Sequence, residues 1–213
     1  MSLGSLLDSR LVMVTGKGGT GKTTIAAAIA VLGAAKGKRT LLCEVDNQRP
    51  SLTPIFGQVP AFTPVEVRPK LSVSNILFAD ALAEFVQQVV PVRRVVKMVL
   101  DNKVVSRFLD FTPGSRELVA LVSLAGLAQR YDLVVVDMPA SGHAFSLLDI
   151  VRSAMGLFRS GPVRKLAEDL RSLLLAKSSR VVFVALPEEM VVNETLETLE
   201  RMRRAEVLGG DPV

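Results

Sequence analysis

Short runs of consecutive apolar residues alternate along this chain with longer segments whose apolar positions recur every three or four residues. That is the pattern of strands buried on both faces and joined by helices. Arg10–Thr15 (RLVMVT) is the first such strand and runs straight into a glycine-rich loop. Helical periodicity follows, with Ile25, Ile29 and Leu32 on one face and alanines filling the rest, until Gly37 stops it. Arg39–Val45 is a second continuous apolar strand. Strand, helix and strand in this order, within a stretch of roughly the usual thirty-odd residues, read as a right-handed βαβ unit.

Residues 49–70 contain Pro50, Pro54, Pro60, Pro64 and Pro69 and read as a long irregular loop. Leu71–Ile76 is a further strand, and an almost wholly helical stretch then reaches Arg130. Phe78, Leu82, Phe85, Val86 and Val89 share a face of its first helix, which Pro91 ends. Val95, Val96, Val99 and Leu100 mark a second helix, Val105, Phe108 and Leu109 a third, and Leu118, Leu121, Val122 and Ala125 a fourth. Four apolar helices exceed what one crossover between strands needs, so 77–130 reads as an α-helical insert. Tyr131–Asp137 (YDLVVVD) is the clearest buried strand, followed by a loop with Gly142 and a helix carrying Leu147, Leu148 and Val151. Pro162 opens a helix with Leu166, Leu170, Leu173 and Leu174. Arg180–Leu186 is a strand, and Glu188–Arg204 a helix with Val192, Leu196, Leu199 and Met202 inward.

The expected fold is α/β: one domain over 1–213 with a doubly wound, mainly parallel sheet and the helical insert. Val213 falls where a further parallel strand should begin, so the domain reads as C-terminally incomplete. Composition agrees. Nearly half the residues are hydrophobic and 22% are charged, which supports a filled core and argues against disorder. The apolar run Thr23–Ala35 is too short to span a bilayer and has the wrong flank for a signal peptide, which points to a cytoplasmic protein. The single cysteine, Cys43, excludes an intrachain disulfide and a multi-thiolate zinc site. A net charge of +5 is too modest to argue for nucleic acid or anionic lipid. The basic clusters Arg93, Arg94 and Lys97, and Arg201, Arg203 and Arg204, read first as solvated helix faces.

The chemistry concentrates in the loop. Gly16-Lys17-Gly18-Gly19-Thr20-Gly21-Lys22-Thr23-Thr24 satisfies G-x-x-x-x-G-K-[ST] between a strand and a helix. Glycines let backbone N–H groups turn inward around phosphate oxygens, and the following helix N-terminus adds partial positive charge. Lys22 is then placed to reach the β- and γ-phosphates of ATP, and the Thr23 hydroxyl to ligate Mg²⁺ directly. Asp137, ending an apolar strand, is placed to hold the magnesium through water, and Asp46, ending another, to hold it through water and to position the attacking water molecule. Two alternatives compete for these residues. The same loop spells G-x-G-x-x-G, with Glu44 or Asp46 where a ribose-binding carboxylate of a dinucleotide fold would lie. Against that stands Lys22-Thr23-Thr24, which a triphosphate–magnesium site requires and a dinucleotide helix does not. The aspartates could also be plain turn or helix-capping residues.

The run GKGGTGKTT, with a lysine second in the loop (Lys17), resembles the deviant P-loop of a superclass containing division-site and plasmid-partition ATPases, nitrogenase reductase and arsenite-pump ATPases. Asp137-Met138-Pro139-Ala140-Ser141-Gly142-His143 is similar to the switch II motif D-T-A-P-T-G-H of the arsenite-pump and tail-anchored-protein-targeting ATPases. Val45-Asp46 resembles their switch I aspartate, and Leu186-Pro187-Glu188-Glu189 resembles a loop near their nucleotide base. The resemblance covers about Arg10 to Arg204 and is nearest to bacterial homologues of the targeting factors.

It implies an ATP-driven switch that works as a homodimer, or as a heterodimer with a paralogous ATPase, with Lys17 reaching the partner's nucleotide. Lys17, Lys22 and Asp46 would be its catalytic residues. His143 would belong to the moving switch, and the helical insert would meet a client protein, with a membrane as an alternative partner. Nucleic acid is not an expected partner of this subfamily, although a positioning or partition ATPase acting on membrane or DNA is the alternative within the superclass. The replacement of T-A-P-T by Met138-Pro139-Ala140-Ser141 puts the switch geometry in doubt. With no Cys-x-x-Cys, the zinc that clamps eukaryotic targeting dimers is not expected.

Overall fold

The computed structural model describes residues 3–45, 47–89, 115–138, 151, 155–156 and 159–204. Its strands are β1 (Leu11–Gly16), β2 (Thr40–Val45), β3 (Val65–Arg68), β4 (Leu71–Ile76), β5 (Leu133–Asp137) and β6 (Ser179–Val184). Its helices are α1 (Leu3–Leu7), α2 (Lys22–Ala35), α3 (Thr53–Phe56), α4 (Phe78–Val89), α5 (Ser115–Ala128), α6 (Pro162–Leu174) and α7 (Glu189–Arg204). The strands form one sheet in the order β3-β4-β2-β5-β1-β6. Every pairing is parallel except that of β3 with β4. The doubly wound, mainly parallel α/β fold expected from the sequence is therefore present.

Side-chain alternation along each strand feeds two cores. Leu11, Met13, Leu41, Cys43, Val134 and Val136 pack against α4, α5 and α6. Val12, Val14, Leu42, Leu133 and Val135 pack against α1 and α2. Burying one such aliphatic side chain stabilises the fold by about 1.5–3 kcal/mol. Burial also pushes the Cys43 thiol far up, which fits a small apolar core residue. At the opposite end of the sheet, Arg39 donates to both carboxylate oxygens of Asp132 at 2.8–3.3 Å. The Asp132 amide donates back to the Arg39 carbonyl at 2.8 Å. The pair fixes the starts of β2 and β5 side by side and holds the Asp132 carboxyl down at about 2.

Three expectations need correction. The proline-rich stretch 49–70 is not structureless: it holds the single turn α3 and the edge strand β3. Pro64 and Pro69 flank β3 rather than interrupt it, which is where an edge strand tolerates proline. In α2 the inward face consists of Ala26, Ala27, Ile29, Ala30 and Gly33, while Ile25 and Leu32 are 39% and 44% exposed. In α7 Val191 is buried, while Val192 and Leu196 are 39% and 57% exposed. The described helices at the two ends of 77–130, α4 and α5, share the core beneath the sheet. The helices read at 95–100 and 105–109, and the one carrying Leu147 and Leu148, lie outside the described residues.

Gly33 explains why small residues face inward on α2. A Cβ there would lie 2.5 Å from Cδ2 of Leu133 and 3.0 Å from the Thr40 hydroxyl. Leu133 and Thr40 are fully buried, so neither yields easily. Gly33→Ala should gain about 1 kcal/mol of helix propensity and lose about 1–3 kcal/mol to overpacking, for a net destabilisation. A urea midpoint moved upward by this substitution would contradict such close packing.

Candidate functional site

β1 has β5 on one side and β6 on the other, and the chain leaves it for β2, beyond β5. A crevice at the carboxyl ends of the strands, where the order diverges, is where such sheets bind ligands. The loop Gly16–Thr24 lies at this point, between the end of β1 and the first turn of α2. Gly16 is forced to be glycine. Its φ is 148°, and a Cβ would meet the Val184 carbonyl oxygen of β6 at 2.1 Å. Gly21 takes φ 91° just before α2 and offers no side chain to cap the helix, so the first-turn N–H groups are left for a ligand. Around Gly18, Gly19 and Gly21 a Cβ would meet nothing within 4 Å, so open space borders the loop. That is the form of an anion cradle.

Two side chains close the loop on itself. The Thr20 hydroxyl donates to the Lys17 carbonyl at 2.9 Å, and the Lys22 ammonium donates to the same oxygen at 3.0 Å. Lys17 points instead toward α7, where its ammonium lies 3.7 Å from the Glu194 carboxylate, both side chains half exposed. Thr24 is exposed on the first turn of α2.

The link between loop and sheet is Thr23. Its hydroxyl donates to Oδ2 of Asp137 at 2.5 Å, across 114 residues of sequence. Strand register brings this about: Val14 pairs with Asp137 on one side of β5, and Glu44 with Asp137 on the other. Burial pushes the Asp137 carboxyl up, and the Thr23 hydroxyl and the Lys22 charge pull it back. Among the described residues its Oδ1, which is buried, has no partner. A hydroxyl bound to a half-buried carboxylate with an uncommitted oxygen fits a hard, oxygen-seeking cation such as Mg²⁺. Among the described residues no group of three or more His, Cys, Asp and Glu side chains gathers.

Asp46 lies outside the described residues, as do Pro139–His143 of the switch-like motif. Its described portion is Asp137 and the buried Met138, whose amide donates to the Val14 carbonyl at 2.9 Å. Glu44 is not available to a ribose. It is buried, and its Oε1 accepts from the Ser51 amide at 2.6 Å and the Asn47 side chain at 2.8 Å. Burial pushes the Glu44 carboxyl up, those hydrogen bonds lower it, and the neighbouring Asp137 charge raises it. The dinucleotide alternative thus loses one of its two candidate carboxylates.

Two features of the site escape a reading by motif. One is the partnership of Lys17 with Glu194. The other is the polar group around Glu44, whose only signal is a carboxylate inside the otherwise apolar run TLLCEV.

Comparison with known proteins finds ATPases. A family model described as anion-transporting ATPase matches residues 9–208. The ATPase BagA of Mycobacterium tuberculosis is 31% identical over 216 residues, covering 93% of this chain and 62% of the relative. An arsenical pump-driving ATPase of Escherichia coli is 30% identical over 158 residues, covering 70% of this chain and 26% of the relative. A putative arsenical pump-driving ATPase of Halobacterium salinarum is 31% identical, covering 74% and 26%. The chain thus spans 62% of the length of its mycobacterial relative and about a quarter of the two arsenical-pump proteins.

Proposed function

The chain belongs to the anion-transporting ATPase family, and from that premise we propose that it binds MgATP in the loop Gly16–Thr24 and hydrolyses it to run a molecular switch. The observation that carries this reading is the Thr23–Asp137 hydrogen bond, which joins the phosphate loop to the strand-end carboxylate. Backbone N–H groups of the loop and of the α2 N-terminus hold the phosphates. Lys22 leaves the Lys17 carbonyl to neutralise the β- and γ-phosphates. Thr23 would ligate magnesium, and Asp137, with Asp46, would hold it through water. Magnesium, when bound, neutralises charge on the transferred phosphoryl group. Asp46 orients the attacking water. Lys17 leaves Glu194 and reaches the nucleotide of a second subunit, a homodimer or a paralogous partner. An exposed ion pair of this kind contributes about 1 kcal/mol at most, so its release is cheap.

The helical segment 77–130 is the proposed coupling element, changing its contact with a client protein between nucleotide states. No described helix is long and apolar enough to cross a membrane, and the proposed setting is the cytoplasm, where ATP is abundant.

Thr23→Ala tests the site. The variant removes one metal-binding hydroxyl and leaves the glycine cradle intact. Magnesium-dependent phosphate release should fall by about ten- to a hundredfold, a range typical of groups that tune a metal site, while affinity for ADP changes little. Unchanged release would remove Thr23 from the reaction.

A further inference from the structure

A carboxylate buried in a sheet is costly unless hydrogen bonds compensate it. Glu44 is 1% exposed, and an aliphatic side chain would suit the β2 strand better by itself. Its register partner on β4 is another buried polar residue, Asn75, also 1% exposed. Both sit at the carboxyl ends of their strands and both reach the same turn. Asn75 Nδ2 donates to the Asn47 carbonyl at 2.7 Å, and its Oδ1 accepts from the Asn47 amide at 3.4 Å. Glu44 Oε1 accepts from the Asn47 side chain and the Ser51 amide. Asn47 completes the knot: its Nδ2 also donates to the Ser51 hydroxyl at 3.0 Å, and its Oδ1 accepts from the Arg49 amide at 3.1 Å. Leu52, fully buried, pins the far end of the turn.

The turn 47–51 follows directly on Asp46. On the other flank, Val45 is held in register with Ile76. We propose that Glu44 and Asn75 are positioning residues for phosphoryl transfer: together they clamp the turn 47–51 and so fix the chain that carries Asp46. This rests on the ATPase reading above and adds to it a structural reason for two polar residues in the core. Neither residue touches nucleotide; each acts through the turn.

The test compares Asn75→Ala, Glu44→Ala and Glu44→Gln in the full chain, by hydrogen exchange, ADP affinity and single-turnover phosphate release. Asn75→Ala and Glu44→Ala should speed exchange of the amides at 47–52 by at least about tenfold while the remaining strands stay protected. Phosphate release should slow by about ten- to a hundredfold, the cost of a misplaced catalytic group, and ADP affinity should change by less than about threefold. Glu44→Gln keeps an oxygen that can accept both hydrogen bonds and should recover most of the loss. Should Glu44→Ala not fold, Asn75→Ala, which leaves no charge behind, carries the comparison with Glu44→Gln. Normal release in Asn75→Ala beside a functioning wild type would overturn the proposal and leave the ATPase reading standing. So would unchanged exchange at 47–52, or a loss in Glu44→Gln as deep as in Glu44→Ala. A wild-type chain that binds ADP and releases no phosphate would overturn the ATPase reading, and this proposal with it.

Discussion

Lys22→Ala should lose nucleotide binding and hydrolysis together. The lysine opens α2 directly after the glycine cradle, and its ammonium already rests on the loop carbonyl of Lys17 at 3.0 Å. A hydrogen bond from an ammonium to a charged phosphate is worth about 1.5–3 kcal/mol, so affinity for ATP should drop by about ten- to a hundredfold. Turnover should drop further, by about a thousandfold, because charge builds on the transferred group and the loop's other ammonium, Lys17, faces Glu194 instead. Titration with a fluorescent nucleotide and a phosphate-release assay measure the two effects separately. Were Lys22 only a brace for the loop, the alanine variant would bind ATP normally, and that result would reject its role at the phosphates.

Lys17→Ala should separate the same two quantities. Lys17 lies five positions before Lys22 in the loop, yet its ammonium faces Glu194 on α7 and not the cradle. A charge delivered from a neighbouring subunit, as an arginine finger delivers it, is worth about a thousandfold or more in rate. The variant should therefore bind ATP almost as the wild type does, hydrolyse it slowly, and lose the rise of specific activity with protein concentration. Mixing Lys17→Ala with Lys22→Ala gives a further check. In the mixed dimer, the Lys17→Ala subunit keeps an intact cradle and receives Lys17 from its partner, so part of the activity should return. No recovery, together with a wild-type concentration dependence in Lys17→Ala alone, would leave a monomeric ATPase.

What the sequence discloses about this site is mostly local. Glycines, lysines and threonines within nine consecutive positions specify a loop whose form depends on its own backbone, and the structure has that loop. The position of Asp137 was legible for a related reason: a carboxylate closing an apolar strand of a parallel sheet lies at the carboxyl ends of the strands. Its contact with Thr23 follows from strand order.

The direction a helix faces was less legible. Periodicity in α2 and α7 shows which residues share a face, but inward and outward are decided by fit. In α2 the bulk of Ile25 and Leu32 lost to the close approach that Gly33 permits. The strand β3 was hidden by counting prolines without asking whether they fall inside or beside the strand. The clamp on the turn 47–51 was not read, because Asn75 meets Asn47 across 28 residues and only strand pairing brings them together. Buried polar residues at strand ends are the signal that would have found it.

Hydrolysis of ATP within the loop Gly16–Thr24 is the central claim, and single-turnover phosphate release is its most direct test. Wild-type protein in excess over ATP should release phosphate when magnesium is present, stop when it is chelated, and lose the release in Lys22→Ala. Tight MgATP binding with no phosphate released over many hours would contradict the account, and would make the chain a nucleotide-dependent scaffold instead of an enzyme.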